Sequence, residues 1–291
     1  MRRARTEREV ARSLFGSVYL ELSMVLSRKF LVRIADFFFD EPAVLPKGVD
    51  VVRYVQTSRP LPGSKPVAFY TVLVDLRKDA QSLLACCRNN TRYEIVRAAE
   101  RDNLDCCWWR TVDSTTLKMF CDFFDRSAVI KGQPRVSRAR LRTLARSDVL
   151  DLSVARSGGH DLVWHAHLVV KERVRLLESA SLFRASDDPE YKKLVGRANR
   201  YLHWLDMLHF QAEGVLVYDF GGWTPAATHA ENIGINRFKE GFGGHIVQNY
   251  TFQTAITVRG RVALAVRQWL RGTDAVSSFP NLLKTSSGTT S

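Results

Sequence analysis

One segment limits the architecture more than any other: a long capped helix that runs directly into an apolar strand. Asp187 or Asp188, followed by Pro189 and Glu190, supplies a capping side chain, a proline at the first helical position and an acid in the first turn. Tyr191, Leu194, Val195, Ala198, Leu202, Leu205, Leu208 and Ala212 give this helix an apolar face, and Gly214 ends it. Val215 to Phe220 then reads as a continuous apolar strand, as expected for one covered on both faces in a largely parallel region.

The flanking segments extend the pattern. Before the helix, Val149 to Ala155, Leu162 to Val170 and Val174 to Phe183 read as strands joined by Gly158-Gly159 and by the Lys171-Glu172-Arg173 turn. After the strand come Gly221-Gly222, a loop, a short helix near Asn232 to Glu240, the Gly241-Phe242-Gly243-Gly244 turn, and strands through Phe252 and Val258. Upstream, a strand at Val67 to Val74, a helical pattern from Lys78 to Arg101, a strand at Asp105 to Val112 and a helix from Ser114 to Ser127 form one α/β unit. Residues 1 to 66 resist parsing: an apolar stretch from Leu14 to Phe39 precedes a segment with Pro42, Pro46, Pro60, Pro62 and Pro66. The Ser/Thr-rich tail after Lys284 is expected to be disordered.

Charge narrows the partners. The 291 residues carry a formal net charge of +13, which points to a polyanion, while 45% apolar residues exclude wholesale disorder. Between Ser127 and Ser147 there are basic residues and no acid. If Ser137 caps a helix there, Arg138, Arg142 and Arg146 share one face and Leu141 and Leu144 another. A phosphate backbone could lie on that stripe, and a merely solvated basic face would look the same. Lys193, Arg197 and Arg200 form a second stripe on the long helix. No run suits a membrane span, and Glu7, Glu9, Arg12 and Glu21 interrupt any signal-like apolar region, so a cytoplasmic location is expected; the chain is separately expected to be a monomer. Cys86, Cys87, Cys106, Cys107 and Cys121 lack zinc-knuckle spacing and read as buried small hydrophobes.

Several blocks carry a resemblance. Arg197-Ala198-Asn199-Arg200-Tyr201-Leu202-His203-Trp204, then Gly214 to Gly222, then Gly234 to Gly244, resemble the Fem family of aminoacyl-tRNA-dependent transferases. Thr91-Arg92-Tyr93-Glu94-Ile95 with Ala98-Ala99-Glu100 is similar to that family's Arg-rich helix. The resemblance implies an α/β (α+β) protein with two GNAT-like acyltransferase domains, mixed central sheets and an intervening cleft. The boundaries expected are 1–148, which 255–280 could complete, and 149–254, with a tail at 281–291. It also implies transfer of a small amino acid such as alanine, glycine or serine from tRNA to the amine of a peptide. The acceptor would be a natural-product intermediate or a peptidoglycan precursor, with no cofactor beyond aminoacyl-tRNA.

Aminolysis of an aminoacyl ester needs a neutral amine, stabilisation of the tetrahedral oxyanion and a proton for the leaving ribose oxygen. Lys239 matches the lysine of the family's Phe-Lys motif and would stabilise the developing charge. By position alone it would only complement a helix dipole before Gly241. Phe238 is its partner in the motif, and Arg237 joins the stripes as a tRNA contact. Asp219, at the C-terminal end of a buried strand, either orients the acceptor amine or caps the Gly221-Gly222 loop. Tyr218 points to the opposite face, where it is grouped with the substrate contacts. Trp204 is a core residue or a stacking platform. His165 and His167 alternate onto one strand face at metal-ligand spacing, but no third ligand is evident, so no metal is expected.

Two other readings compete. Lys193-Leu194-Val195-Gly196-Arg197-Ala198 loosely fits the phosphate loop of CoA-dependent GNAT enzymes. The capping signals, however, leave Gly196 inside the helix, and Asp187, Asp188 and Glu190 would repel a pyrophosphate at its start. A non-catalytic RNA-binding module built on the same scaffold is the other.

Overall fold

The computed structural model describes residues 24–40, 45, 47–62 and 64–273. The expected disorder of the tail, the signal-region reading and the apolar residues before Met24 therefore lie outside the described residues. The strands are β1 (Met24–Lys29), β2 (Val32–Phe38), β3 (Val51–Thr57), β4 (Val67–Asp75), β5 (Asp105–Trp109), β6 (Leu150–Ser157), β7 (His160–Val170), β8 (Arg173–Ser181), β9 (Val217–Trp223) and β10 (His245–Ala255). The helices are α1 (Ala80–Cys86), α2 (Asn89–Arg101), α3 (Ser114–Lys131), α4 (Arg138–Arg146), α5 (Pro189–Ala212), α6 (Ala230–Glu240) and α7 (Val258–Thr273).

Among the described residues, all the strands join one ten-stranded mixed sheet in the order β1-β2-β3-β10-β4-β9-β8-β7-β6-β5. Only β2–β3 and β8–β9 are parallel. The GNAT-like order expected from sequence, three antiparallel strands, long helix and parallel strand, is β6-β7-β8-α5-β9. Chain order and sheet order diverge at β10, which follows α6 yet inserts between β3 and β4.

The pleat sends alternate residues to two cores. Leu152, Val154, Trp164, Ala166 and Leu168 meet Leu117, Phe120, Phe124, Leu141 and Leu144 of α3 and α4 on one face. Ala155 and Val163 meet Val195, Ala198 and Leu202 of α5 on the other. Each such buried large apolar side chain contributes roughly 1.5–3 kcal/mol, so α5 is held by its face rather than by propensity. Its start follows the predicted signals: the Asp188 carboxylate accepts from the Glu190 and Tyr191 amides, and Pro189 is the first helical residue.

Three boundaries differ from the sequence reading. The helical pattern from Lys78 to Arg101 is two helices, because the Arg88 N–H donates to the Gly241 carbonyl instead of continuing the helix. The approach needs glycine: Gly243 has φ +75°, and a Cβ there would lie 2.3 Å from the Cys86 carbonyl oxygen. Val258 begins α7 rather than ending a strand. Residues before Val67, unreadable from periodicity, supply β1, β2 and β3.

Candidate active site

Strands β8 and β9 pair only from Arg173–Val217 to Arg175–Asp219, and β8 then carries an irregularity opposite Ala166 and His167. The parallel pair therefore splays beyond Arg175, and the end of α6 sits against the end of β9. Lys239, in the last turn of α6, donates its ammonium to the Gly222 carbonyl. It is half-buried, and desolvation pulls its pKa down to about 8. Asp219 opposes that shift, and Arg175 adds to it.

Asp219 is fully buried, and four donors surround it. Thr71 Oγ1 and the Gly221 N–H reach Oδ1, while Gln56 Nε2 at 3.1 Å and Arg173 Nη2 reach Oδ2. Burial pushes this carboxyl up, but the Arg173 and Arg175 charges and the hydrogen bonds outweigh it, so its pKa lies below the ordinary value. With both oxygens engaged, Asp219 holds the irregularity at Gly221 inside β9, where the sequence reading expects a loop, and has no lone oxygen free for an acceptor amine. Gly221 must be glycine here: its φ is +71°, and a Cβ would stand 2.9 Å from the Leu176 carbonyl oxygen. Arg175, also buried, stacks on Phe69, and its Nε and Nη1 lack hydrogen-bond partners.

Two residues grouped as substrate contacts belong to the interior. Trp204 packs with Met207, Phe210 and Val215 in the core, and is no platform. Tyr218 faces away from Asp219 as expected, but it is 0% exposed, with its hydroxyl 2.9 Å from His203 Nδ1 and 3.2 Å from His167 Nε2. Phe238 is the one aromatic of the set at the opening, half-buried between the His203 and Phe242 rings and the Arg200 guanidinium.

The basic stripes are less free than the sequence suggests. Arg138 is paired with Asp122 and Asp125, acids contributed by α3 from outside its own acid-free stretch. Arg142 and Arg146 are exposed on α4, and Arg237 is exposed on α6. On α5, Lys193 pairs with Glu190, Arg197 makes a two-point contact to Asp102, and Arg200 pairs with Glu94. Arg197 therefore braces α5 against the end of α2. The same residues still line a cleft of about 530 Å³ between α2 and α5, together with Tyr93, Arg97 and Phe183. Arg200 links that cleft to Phe238, its guanidinium 5.1 Å from the ring centre, and so to Lys239.

Sequence reasoning missed Arg173, Arg175, Gln56 and Thr71, because they come from strands distant in the chain and only the sheet brings them to Asp219. It also missed the third group beside His165 and His167: Asp206 of α5, with its carboxylate 2.7 Å from His165 Nδ1 and 3.4 Å from His167 Nε2. An acid on the apolar face of α5 was the available signal. The five cysteines are free; Cys87 and Cys121 are buried and Cys86 is exposed, so burial does not hold for all of them.

The start of α5 argues against a pyrophosphate. Its first amides are already bound by the Asp188 carboxylate, and Gly196 lies well inside the helix.

The solved structure titled "Crystal structure of FemX" superposes with a TM-score of 0.58 at 11% identity, covering 86% of each chain. The C-terminal domain (DUF2156) of a putative lysylphosphatidylglycerol synthetase from Agrobacterium fabrum superposes with a TM-score of 0.50 at 15% identity, covering 85% of this chain and 84% of that one. No curated protein sequence matches the chain significantly. Among the described residues no helix is long and apolar enough to cross a membrane. Residues 153–256 match the model of the FemAB family, a span that holds α5, Asp219 and the Phe238-Lys239 pair, and the mixed α/β fold is similar to that of FemX.

Proposed function

We propose that this FemAB-like enzyme moves an aminoacyl group from tRNA to the amine of a peptide acceptor. The observation that carries this reading is the junction of Lys239 with the basic cleft between α2 and α5 through the Arg200–Phe238 contact. The acceptor amine attacks the ester carbonyl, a C–N bond forms, and the C–O bond to ribose breaks. The amine loses a proton and the departing ribose oxygen gains one. Lys239, as an ammonium held at the end of β9, donates to the oxygen that becomes negative in the tetrahedral intermediate. Its carbonyl partner on Gly222 keeps it oriented before substrate arrives, and the hydrogen bond from the Gly221 N–H to Asp219 keeps that end of β9 in place. Tyr93 and Phe183, both exposed at the cleft, offer stacking surfaces for unpaired nucleotides, and Arg97, Arg142, Arg146 and Arg237 offer phosphate contacts.

The cargo is a small amino acid such as alanine, glycine or serine, and the acceptor is a peptide of natural-product or cell-wall type. CoA is disfavoured as donor by the occupied amides at the start of α5. The test incubates the protein with tRNA charged in turn with each small amino acid and a panel of peptides bearing free amines, with amide products read by mass spectrometry. Product with one charged tRNA supports the reading. Tight tRNA binding with no product from any pair would instead support a non-catalytic RNA-binding module.

A further inference from the structure

A second constellation lies on the face of β9 opposite Asp219, buried beneath α5. The alternation of β7 puts His165 and His167 on the face that packs on α5, and α5 returns His203 and Asp206 to the same place. The two strand histidines and Asp206 are 0% exposed, and His203 is 1% exposed. Asp206 is a carboxylate in an apolar interior, and among the described residues no lysine or arginine pairs with it. Its Oδ1 accepts from the Trp108 indole at 2.9 Å, and its Oδ2 is left to the imidazoles. A buried carboxylate of this kind is stabilised by a compensating cation beside its hydrogen bonds.

His165 strengthens this preference. Its Nε2 is 2.9 Å from Asn199 Oδ1 and its Nδ1 is 2.7 Å from Asp206 Oδ2, so both ring nitrogens face oxygen acceptors. A neutral imidazole has one N–H. If that N–H serves Asn199, the Nδ1 lone pair and the carboxylate point at each other and need a cation between them. An N–H held by an outer amide is also how proteins commonly fix the ring of a metal-ligating histidine. His167 adds a second nitrogen, with Nε2 3.4 Å from Asp206 Oδ2 and 3.2 Å from the Tyr218 hydroxyl, while its Nδ1 is buried without a partner.

We infer that His165 Nδ1, His167 Nε2 and Asp206 Oδ2 bind one divalent transition-metal ion, with the Tyr218 hydroxyl at the fourth corner. Two imidazoles and one carboxylate favour zinc. Tetrahedral zinc with bonds of about 2.0–2.2 Å places donor atoms about 3.3 Å apart. The spacings of 3.4 Å and 3.2 Å at His167 match this, and the His165–Asp206 pair must open from 2.7 Å as the ion replaces a hydrogen. The site is sealed, so the ion pins β7, α5 and β9 together rather than activating water. The His203 ring touches Phe238 with centroids 5.5 Å apart, so the pin backs the wall on which the Phe238-Lys239 pair rests.

The test uses the untagged full chain, produced with zinc supplied and dialysed without chelator, with metal content read by elemental analysis. The expected result is about one zinc per chain in the wild type, and little or none in Asp206→Asn and His167→Gln. Should those variants fail to fold, wild type denatured with chelator and refolded with cobalt provides a second readout. It should show the visible absorption of a tetrahedral nitrogen/oxygen site, and zinc added to the metal-free protein should raise Tm by several degrees. Wild type that holds no metal and whose Tm ignores zinc would overturn the inference, leaving a proton shared among Asp206 and the histidines. Zinc retained in the Asp206→Asn/His167→Gln double variant would overturn it as well.

Discussion

Arg197 spans from α5 to Asp102 with Nε and Nη2 at 2.6 and 2.9 Å from the two carboxylate oxygens, and both side chains are nearly buried. A residue that looks from sequence like a phosphate contact therefore serves first as a brace between two helices. Removing one partner strands the other charge in the interior. Asp102→Asn and Arg197→Ala are each expected to cost about 3–5 kcal/mol of stability, measured by denaturant unfolding.

Arg142 and Arg146 should behave in the opposite way. They are exposed on α4, so alanine at either position is expected to change stability by less than about 0.5 kcal/mol. Each change should reduce the slope of log K for tRNA binding against log salt by about 0.7–0.9. Arg138→Ala should affect the slope less, because Arg138 already neutralises Asp122 and Asp125. Titrations at several salt concentrations separate the two behaviours.

Lys239→Met is expected to lower kcat/KM about 10²–10³-fold, the range for loss of one preorganised oxyanion donor, with an unchanged circular dichroism spectrum. The pH dependence carries the sign of the mechanism. Burial and Arg175 bring the Lys239 pKa down to about 8 against the pull of Asp219, and the ammonium is the active form, so activity should fall as pH rises through about 8. Stability should move the other way. Between about 8 and the ordinary 10.5 the unfolded chain holds a proton the folded chain has lost, so this group adds stability as pH rises. Lys239→Arg should move the falling limb of activity upward.

Asp219→Asn leaves Arg173 and Arg175 without their shared carboxylate and weakens the Gly221 hydrogen bond. A loss of about 3–5 kcal/mol at neutral pH is expected. The Asp219 pKa is depressed on folding, so its stabilisation is present above the ordinary 3.8 and disappears as pH falls through the lower folded value. The gap between wild type and variant should therefore close in acid, as followed by Tm across pH.

What the sequence made legible was local. Asp188-Pro189-Glu190 and Gly214 marked α5 because caps act within one turn, and the alternation of β7 placed His165 and His167 together because a strand repeats every second residue. The burial of Tyr218 and Trp204 was not legible, since an aromatic residue has the same local pattern beside a substrate or inside a core. Nor was the pairing of the stripes: Arg200 meets Glu94 and Arg197 meets Asp102 only once α2 packs on α5. The insertion of β10 between β3 and β4 and the pairing of β4 with β9 are long-range events with no local signature, and through them Gln56 and Thr71 reach Asp219.

The central claim is that the donor is an aminoacyl ester of tRNA, and ribonuclease tests it most directly. Charged tRNA, peptide acceptor and protein are combined with and without prior ribonuclease treatment, alongside acyl-CoA as an alternative donor, and the amide product is quantified by mass spectrometry. Product that requires intact charged tRNA, is lost on ribonuclease treatment and does not form from acyl-CoA is the predicted result. Product that forms equally after ribonuclease treatment, or from acyl-CoA alone, would contradict it.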